Sequence, residues 1–270
     1  PFPERLKKLV LKVVYMKFKE IEFDSNNVVA AAEYEDGATI IFRWDHDSES
    51  PREWDNLCTM SMWHSRYNLP QEGGYGDAPQ REDFIDWCMD NDVRPTCSGQ
   101  EVVEQLGVEW FMMWGNYYLD HCEGWITNKW QDRLVERAMS YVNKNYVWRL
   151  VGMYDHSGLS FSHVSSYKYG DWDSGVVGCH YVSVEKLAKE FPGMTKAQRN
   201  IAALDRLRSE LDTYDMWQRG SVAAWFELLD KDSEFIDSCG GFITDKYDAA
   251  DLIKEVAEYL PGEYGVTNEC

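Results

Sequence analysis

Positive charge is what this chain has least of. Its 270 residues carry 27 Lys and Arg against 47 Asp and Glu, a formal net charge of −20. A field of that sign repels phosphate, which argues against direct nucleic-acid binding. No apolar run approaches the ~18 residues that a membrane helix needs, so no span is expected. The seven Cys include no Cys-x-x-Cys pair, and no Cys/His spacing fits a structural zinc site. Reduced thiols in a cytosolic protein follow, with no metal and no cofactor expected. The opening Pro1-Phe2-Pro3-Glu4 is neither a signal peptide nor a start-codon product, and reads as a trimmed chain or a fragment. Walker, Gly-x-Gly-x-x-Gly, EF-hand, His-Glu-x-x-His and Gly-x-Ser-x-Gly motifs are all missing. Gly73-Gly74-Tyr75-Gly76 lacks the Lys and the strand–helix setting of a phosphate loop. There are no repeats and no low-complexity tract.

What is present points to a globular protein. Apolar residues make up 44% and aromatics 14%, with twelve Trp, enough for a sizeable core. The length allows one large domain or two small ones. Residues 9–18 are rich in β-branched and aromatic side chains, as in a strand. Val28–Tyr34 and Ala38–Trp44 flank Glu35-Asp36-Gly37, a hairpin signal. A polar loop follows at 45–51. Leu57, Met60 and His64 then fall at helical spacing, and the stretch 81–146 reads as helical. Ser98 with Glu101 forms a capping box, and Gly107 ends that helix. Val147–Tyr154 and Val176–Val184 read as strands. Thr195 with Gln198 opens a long helix carrying Ile201, Leu204, Leu207, Leu211 and Tyr214. Val222–Leu229 and Phe235–Ile243 flank Asp230-Lys231-Asp232-Ser233-Glu234 as a second hairpin. A last helix runs over 248–260.

This order predicts an α+β fold, with antiparallel sheets, a helical insert and a C-terminal helix–hairpin–helix. Three stretches are expected: an N-terminal β-meander over 1–50, a mostly helical segment over 51–146, and an α+β domain over 147–270.

Two turns gather chemically capable residues. Tyr154-Asp155-His156-Ser157-Gly158 and Asp171-Trp172-Asp173-Ser174-Gly175 flank a polar loop. In the plain reading, Asp and Ser fold back onto their own amides and Gly supplies a positive φ. In the catalytic reading, Asp155, His156, Asp173, Ser174 and His180 supply a base, its orienting carboxylate and a nucleophile. Neighbours on a strand point to opposite faces, so Asp155, His156 and Ser157 cannot form a triad by adjacency. Asp45, His46 and Asp47, or Asp171 and Asp173, are oxygen-rich enough for a hard cation, although Asp-rich loops are usually only solvated.

The other candidate is a surface. Twelve Trp cannot all be deep core, and Trp favours contact surfaces. Glu82, Asp83, Asp86, Asp90, Asp92, Glu101, Glu104 and Glu109 gather acid among aromatics in the helical middle. That is either a solvated face over an aromatic core or a binding surface for a basic partner.

Several strings together resemble an uncharacterised protein family of bacteriophages and conjugative elements. They are Glu49-Ser50-Pro51-Arg52-Glu53-Trp54-Asp55-Asn56-Leu57, Tyr154-Asp155-His156-Ser157-Gly158 and Trp172-Asp173-Ser174-Gly175-Val176-Val177-Gly178. With them go Thr213-Tyr214-Asp215, Gly220 and Asp237-Ser238-Cys239-Gly240-Gly241-Phe242. The match covers residues 49–68 and about 150–245. Cys58 stands where the family looks like Gly. The resemblance implies no activity or catalytic residue, but it implies a mobile-element setting in which small acidic proteins counter host defences. The expectation is therefore a non-enzymatic inhibitor, of anti-CRISPR or anti-restriction type, acting in the host cytoplasm. Its partner would be a host defence protein or nucleoprotein complex with a basic surface, which the acid covers as a DNA mimic. The alternative is a metal-dependent or His/Asp-based hydrolase acting on a small molecule or nucleotide.

Overall fold

The structure is a computed structural model, describing residues 18–22, 27–74, 76–91, 93–121, 129–164, 173–220, 222–261 and 264. The fold is mixed α/β with two antiparallel sheets. The chain forms two compact units. One joins Pro1–Glu49 to Gly220–Cys270, and the other is the continuous stretch Ser50–Arg219.

The first unit is a five-stranded sheet. It contains β1 (Phe18–Glu20), β2 (Val28–Tyr34) and β3 (Thr39–Trp44), and the order continues to β8 (Val222–Leu229) and β9 (Phe235–Thr244). Gly37 turns β2 into β3 at φ 90°, a conformation that costs Gly nothing. The expected N-terminal strand over 9–18 lies almost wholly outside the described residues. Ser233, at φ 64°, turns β8 into β9, with Asp230 accepting from the amides of Asp232 and Glu234. Ile40, Phe42, Phe226 and Leu228 face Leu252 and Ile253, which lie on α8 (Ala249–Glu255). Burying each such apolar side chain contributes roughly 1.5–3 kcal/mol.

The second unit is built on a four-stranded sheet in the order β4, β7, β5, β6. Its strands are β4 (Thr59–Met62), β5 (Tyr146–Asp155), β6 (Leu159–Val164) and β7 (Ser174–Ser183). β4 departs from the helical spacing of Leu57, Met60 and His64. Thr59, Met60, Ser61 and Met62 pair with Tyr181, His180, Cys179 and Gly178, so tertiary pairing overrides the local periodicity. β6 also arises within a stretch that reads as a polar loop, folding back on β5 through Ser157 (φ 62°) and Gly158 (φ 155°).

Helices cover this sheet from both sides. The helices α1 (Asp83–Asp90), α2 (Gly99–Leu106), α3 (Val108–Trp110), α4 (Asn116–His121) and α5 (Lys129–Asn145) share one core with Cys179 and Tyr181. A π-helical stretch, Phe111–Gly115, joins α3 to α4. Val182, the next residue along β7 and so on the opposite face, packs with Leu187, Ala203 and Leu207. Those three lie on α6 (Val184–Glu190) and α7 (Lys196–Gln218). The capping boxes read at Ser98/Glu101 and Thr195/Gln198 both form. The last elements follow in the order α7, β8, β9, α8, with α7 in the second unit and the others in the first. Among the described residues, no helix is long and apolar enough to cross a membrane.

Candidate functional site

The acidic residues of the helical middle fall into two groups. Glu82, Asp86 and Asp90 are exposed at four-residue intervals from the N-cap of α1 to its last residue. Four residues rise about 6 Å along a helix axis, so these carboxylates form one stripe. Asp83 is half-buried and accepts from the Gln80 amide. Glu101 and Glu104 are exposed on α2. Glu101 is tied into its capping box, where the Ser98 N–H and hydroxyl hold its carboxyl below the usual value. Arg81 pairs with Glu82 at 2.7 Å. Among the described residues, no ion pair reaches Asp86, Asp90 or Glu104.

Glu109 does not share this surface. It is 2% exposed, and its carboxylate accepts from the Tyr181 hydroxyl at 2.7 Å and the Gly74 amide at 3.1 Å. Its place on the apolar face of α3 turns it inward, where these donors replace water. Asp92 lies outside the described residues.

The Trp side chains are mostly structural. Trp110 is fully buried, and the indole N–H groups of Trp110, Trp114 and Trp63 donate to the carbonyls of Gln80, Pro79 and Gly76. They hold the 76–80 loop against the helical core. Among the described Trp, Trp54, at 40% exposed, is the one that stands among the large exposed side chains.

The paired turns meet at one end of the second sheet. Tyr154 pairs with Ser174, and the Asp155 amide donates to the Asp173 carbonyl. Asp173 Oδ2 lies 3.1 Å from His156 Nδ1, while Asp155 accepts from Arg66 at 2.6 Å and Tyr67 at 3.0 Å. Asp155, His156, Asp173 and Ser174 are thus neighbours, but His180 is not. It lies six residues along β7 from Ser174, roughly 20 Å at strand rise, and is fully buried. The five residues do not form one catalytic centre. Asp171 and Trp172 lie outside the described residues. Asp45 accepts from the Asp47 amide in an exposed turn.

His180 belongs instead to a buried polar network that no local motif announces. Arg52, its side chain 4% exposed, grips Glu72 with two bonds of 2.6 and 2.8 Å, and donates to Glu210 at 3.0 Å and the Cys58 carbonyl at 2.9 Å. Glu210, from the middle of α7, also accepts from the Leu57 and Cys58 amides at 3.0 and 3.2 Å. Glu72 accepts from the Met60 amide at 2.9 Å. Burial pushes the Glu210 carboxyl up, but the polar edge of the His180 ring 3.4 Å away and the hydrogen-bonded Arg52 guanidinium together outweigh it, so its net shift is down. Burial draws the Arg52 guanidinium down, yet Glu72 and Glu210 leave it higher than usual.

Around Glu210 stand Cys58 and His180. The Cys58 Sγ, a His180 ring nitrogen and a Glu210 oxygen all lie within 4.8 Å of one another. Burial, reinforced by Glu210, pushes the Cys58 thiol up, so it is no ready nucleophile. Burial keeps His180 neutral. The other ring nitrogen of His180, Nδ1, faces His163 Nε2 at 3.3 Å. Burial, then His180 and Arg149, bring His163 down to about 4, so it too is neutral. Glu210 also lines a surface cavity of about 430 Å³, with Asn56, Leu57, Lys186, Arg206 and Thr213.

Comparison with known protein families, curated proteins and solved structures finds no match to this chain.

Proposed function

We propose that this chain is a phage or mobile-element protein that blocks a host defence complex by covering a basic nucleic-acid-binding surface. The observation that supports it is the single-sign stripe on α1. Glu82, Asp86 and Asp90 stand at successive i, i+4 positions, where like charges destabilise a helix by roughly 0.2–0.5 kcal/mol per pair. The last turn of α1 carries no basic residue to offset them, and no side chain caps its N-terminus. Glu82 and Asp86 sit near the N-terminus, where the helix dipole favours acid, but Asp90 at the C-terminal end opposes it and extends the stripe at a cost to the helix. Glu101 and Glu104 on α2 extend the acidic face. Such a face speeds encounter with a cationic groove and repels nucleic acid from it. The exposed Trp54 and Met89 are apolar side chains of the kind that anchor an interface.

A hydrolase built on the paired turns has weaker support. His156 and Asp173 make a base-and-orienter pair, but His180, the other histidine of that reading, lies buried elsewhere on β7.

The test is plaque formation on bacterial strains that carry active CRISPR or restriction systems. Expression of the chain should raise phage plating on at least one strain, by ten-fold or more. A variant with Glu82→Lys, Asp86→Lys, Asp90→Lys and Glu104→Lys should lose that protection while keeping its circular dichroism spectrum. Full protection by the folded variant would sink the proposal, as would none by the parent chain across such a panel.

A further inference from the structure

We infer that Cys58, His180 and Glu210 form a zinc(II) site. Cys58 lies just before β4, His180 in the middle of β7 and Glu210 midway along α7, so an ion there would join three elements that are far apart in sequence. This inference is independent of the function proposed above.

Three observations carry it. First, the donor set is thiol, imidazole and carboxylate, the mixture that borderline-soft Zn²⁺ favours over Mg²⁺ or Ca²⁺. All three ligand atoms lie within 4.8 Å of one another, with Cys58 and His180 buried.

Second, His180 Nε2 is fully buried and has no hydrogen-bond partner. It lies 3.4 Å from Glu210 Oε2, an approach that does not make a hydrogen bond. The same separation is natural for two ligands of one ion. Nitrogen and oxygen held ~2.05 Å from zinc at the tetrahedral angle sit roughly 3.3 Å apart, and a thiolate at ~2.3 Å sits roughly 3.6 Å from either. A buried nitrogen left without a partner has lost its water with nothing in exchange, a cost that a metal bond removes.

Third, the surroundings suit a ligated imidazole. With Nε2 on the ion, His180 carries its proton on Nδ1, which faces His163 Nε2 at 3.3 Å. A partner on the far nitrogen is what fixes the tautomer and ring plane of a metal-bound His. Charge is balanced as well. Arg52, Glu72 and Glu210 together carry one excess negative charge, and a Cys58 thiolate adds a second. A divalent cation cancels both. Three protein donors leave a fourth position for water, and Glu210 is the ligand that also lines the adjoining cavity.

The experiment uses the full chain, stripped with chelator and titrated with Co²⁺ as a spectroscopic probe and then with Zn²⁺. One equivalent of Co²⁺ should produce the visible bands of a tetrahedral site and a near-ultraviolet thiolate-to-cobalt band. Zn²⁺ should displace it and raise the melting temperature. Cys58→Ser should abolish the near-ultraviolet band, while Cys88→Ser, on α1, should leave it intact. X-ray absorption of the zinc-loaded parent chain needs no variant. It should show one sulfur at ~2.3 Å and nitrogen or oxygen at ~2.0–2.1 Å. No stoichiometric binding, a shell without sulfur or with several, or a cobalt–thiolate band that survives Cys58→Ser would each overturn the assignment.

Discussion

Replacing Arg52 by Met tests whether the buried network holds the second unit together. The Arg52 side chain is 4% exposed and carries four hydrogen bonds, to Glu72 twice, to Glu210 and to the Cys58 carbonyl. Met fills much of the volume but leaves Glu210, at 10% exposed, with its charge buried beside Glu72. Removing one partner of such a network costs roughly 3–5 kcal/mol, mostly from the charge left uncompensated rather than from the attraction lost. The unit spans Ser50–Arg219. For a unit of that size each kcal/mol moves the midpoint by about 2–4 °C, so a fall of roughly 6–20 °C is expected. Arg52→Lys keeps the charge but cannot form the two-pronged bond to Glu72, and should fall between. The internal control is Arg43→Met in the first unit. Its pair with Glu227 is a quarter exposed and should be worth about 1 kcal/mol or less. Calorimetry in the presence of chelator keeps any bound metal out of the comparison. If Arg52→Met costs no more than Arg43→Met, the network is ornamental and the reasoning fails.

Two further outcomes follow from close contacts and caps. Gly178→Ala should unfold the second sheet or cost at least ~3 kcal/mol, because the added Cβ would stand 2.0 Å from the Ser61 carbonyl oxygen and 2.6 Å from Met62 Cα, both backbone atoms of β4. Denaturant unfolding reads this directly, and a near-neutral variant would show that the β4–β7 register is wrong. The Glu101 carboxyl should titrate below its usual 4.5, since the Ser98 N–H and hydroxyl favour its charged form. A depressed folded value means that the cap's contribution is complete above 4.5 and is lost as pH falls through the lower value. Carbon-detected NMR titration should show Ser98→Ala moving the Glu101 midpoint part of the way toward 4.5, since the N–H of residue 98 is retained, and an unchanged midpoint would contradict the hydroxyl's part in the cap.

Features fixed by short stretches of chain were legible. Asp36-Gly37 and Asp230-Lys231-Asp232-Ser233-Glu234 marked both hairpins of the first sheet, because those turns depend on residues that tolerate positive φ or bond their own backbone. The capping boxes at Ser98 and Thr195 marked two helix starts for the same reason. What depended on distant partners was not legible. Residues 59–62 carry helical spacing yet form a strand, since β7 supplies the pairing. Glu109 looked like one more surface acid, and its burial depends on Tyr181, 72 residues away. His180 is a candidate base from sequence, but its neighbours in the fold are Cys58 and Glu210 rather than the paired turns. Cys58 and Glu210 carry no local signal, because the three meet only after β4, β7 and α7 have packed.

The edge between β3 and β8 has a consequence for biosynthesis. Trp44 pairs with Ala224, so the chain leaves the first sheet and returns beside its point of departure after the whole second unit has been made. At a ribosomal rate of about 5–20 residues per second, β3 waits roughly 10–40 s for its neighbour. During that interval Ile40, Ile41 and Phe42 present an unpaired, apolar strand edge, open to pairing with another nascent chain. The second unit is continuous and can fold as soon as α7 emerges, so the order of assembly runs from the inside of the sequence outward. Slow translation or crowded polysomes would therefore penalise the first unit long before they affected the second.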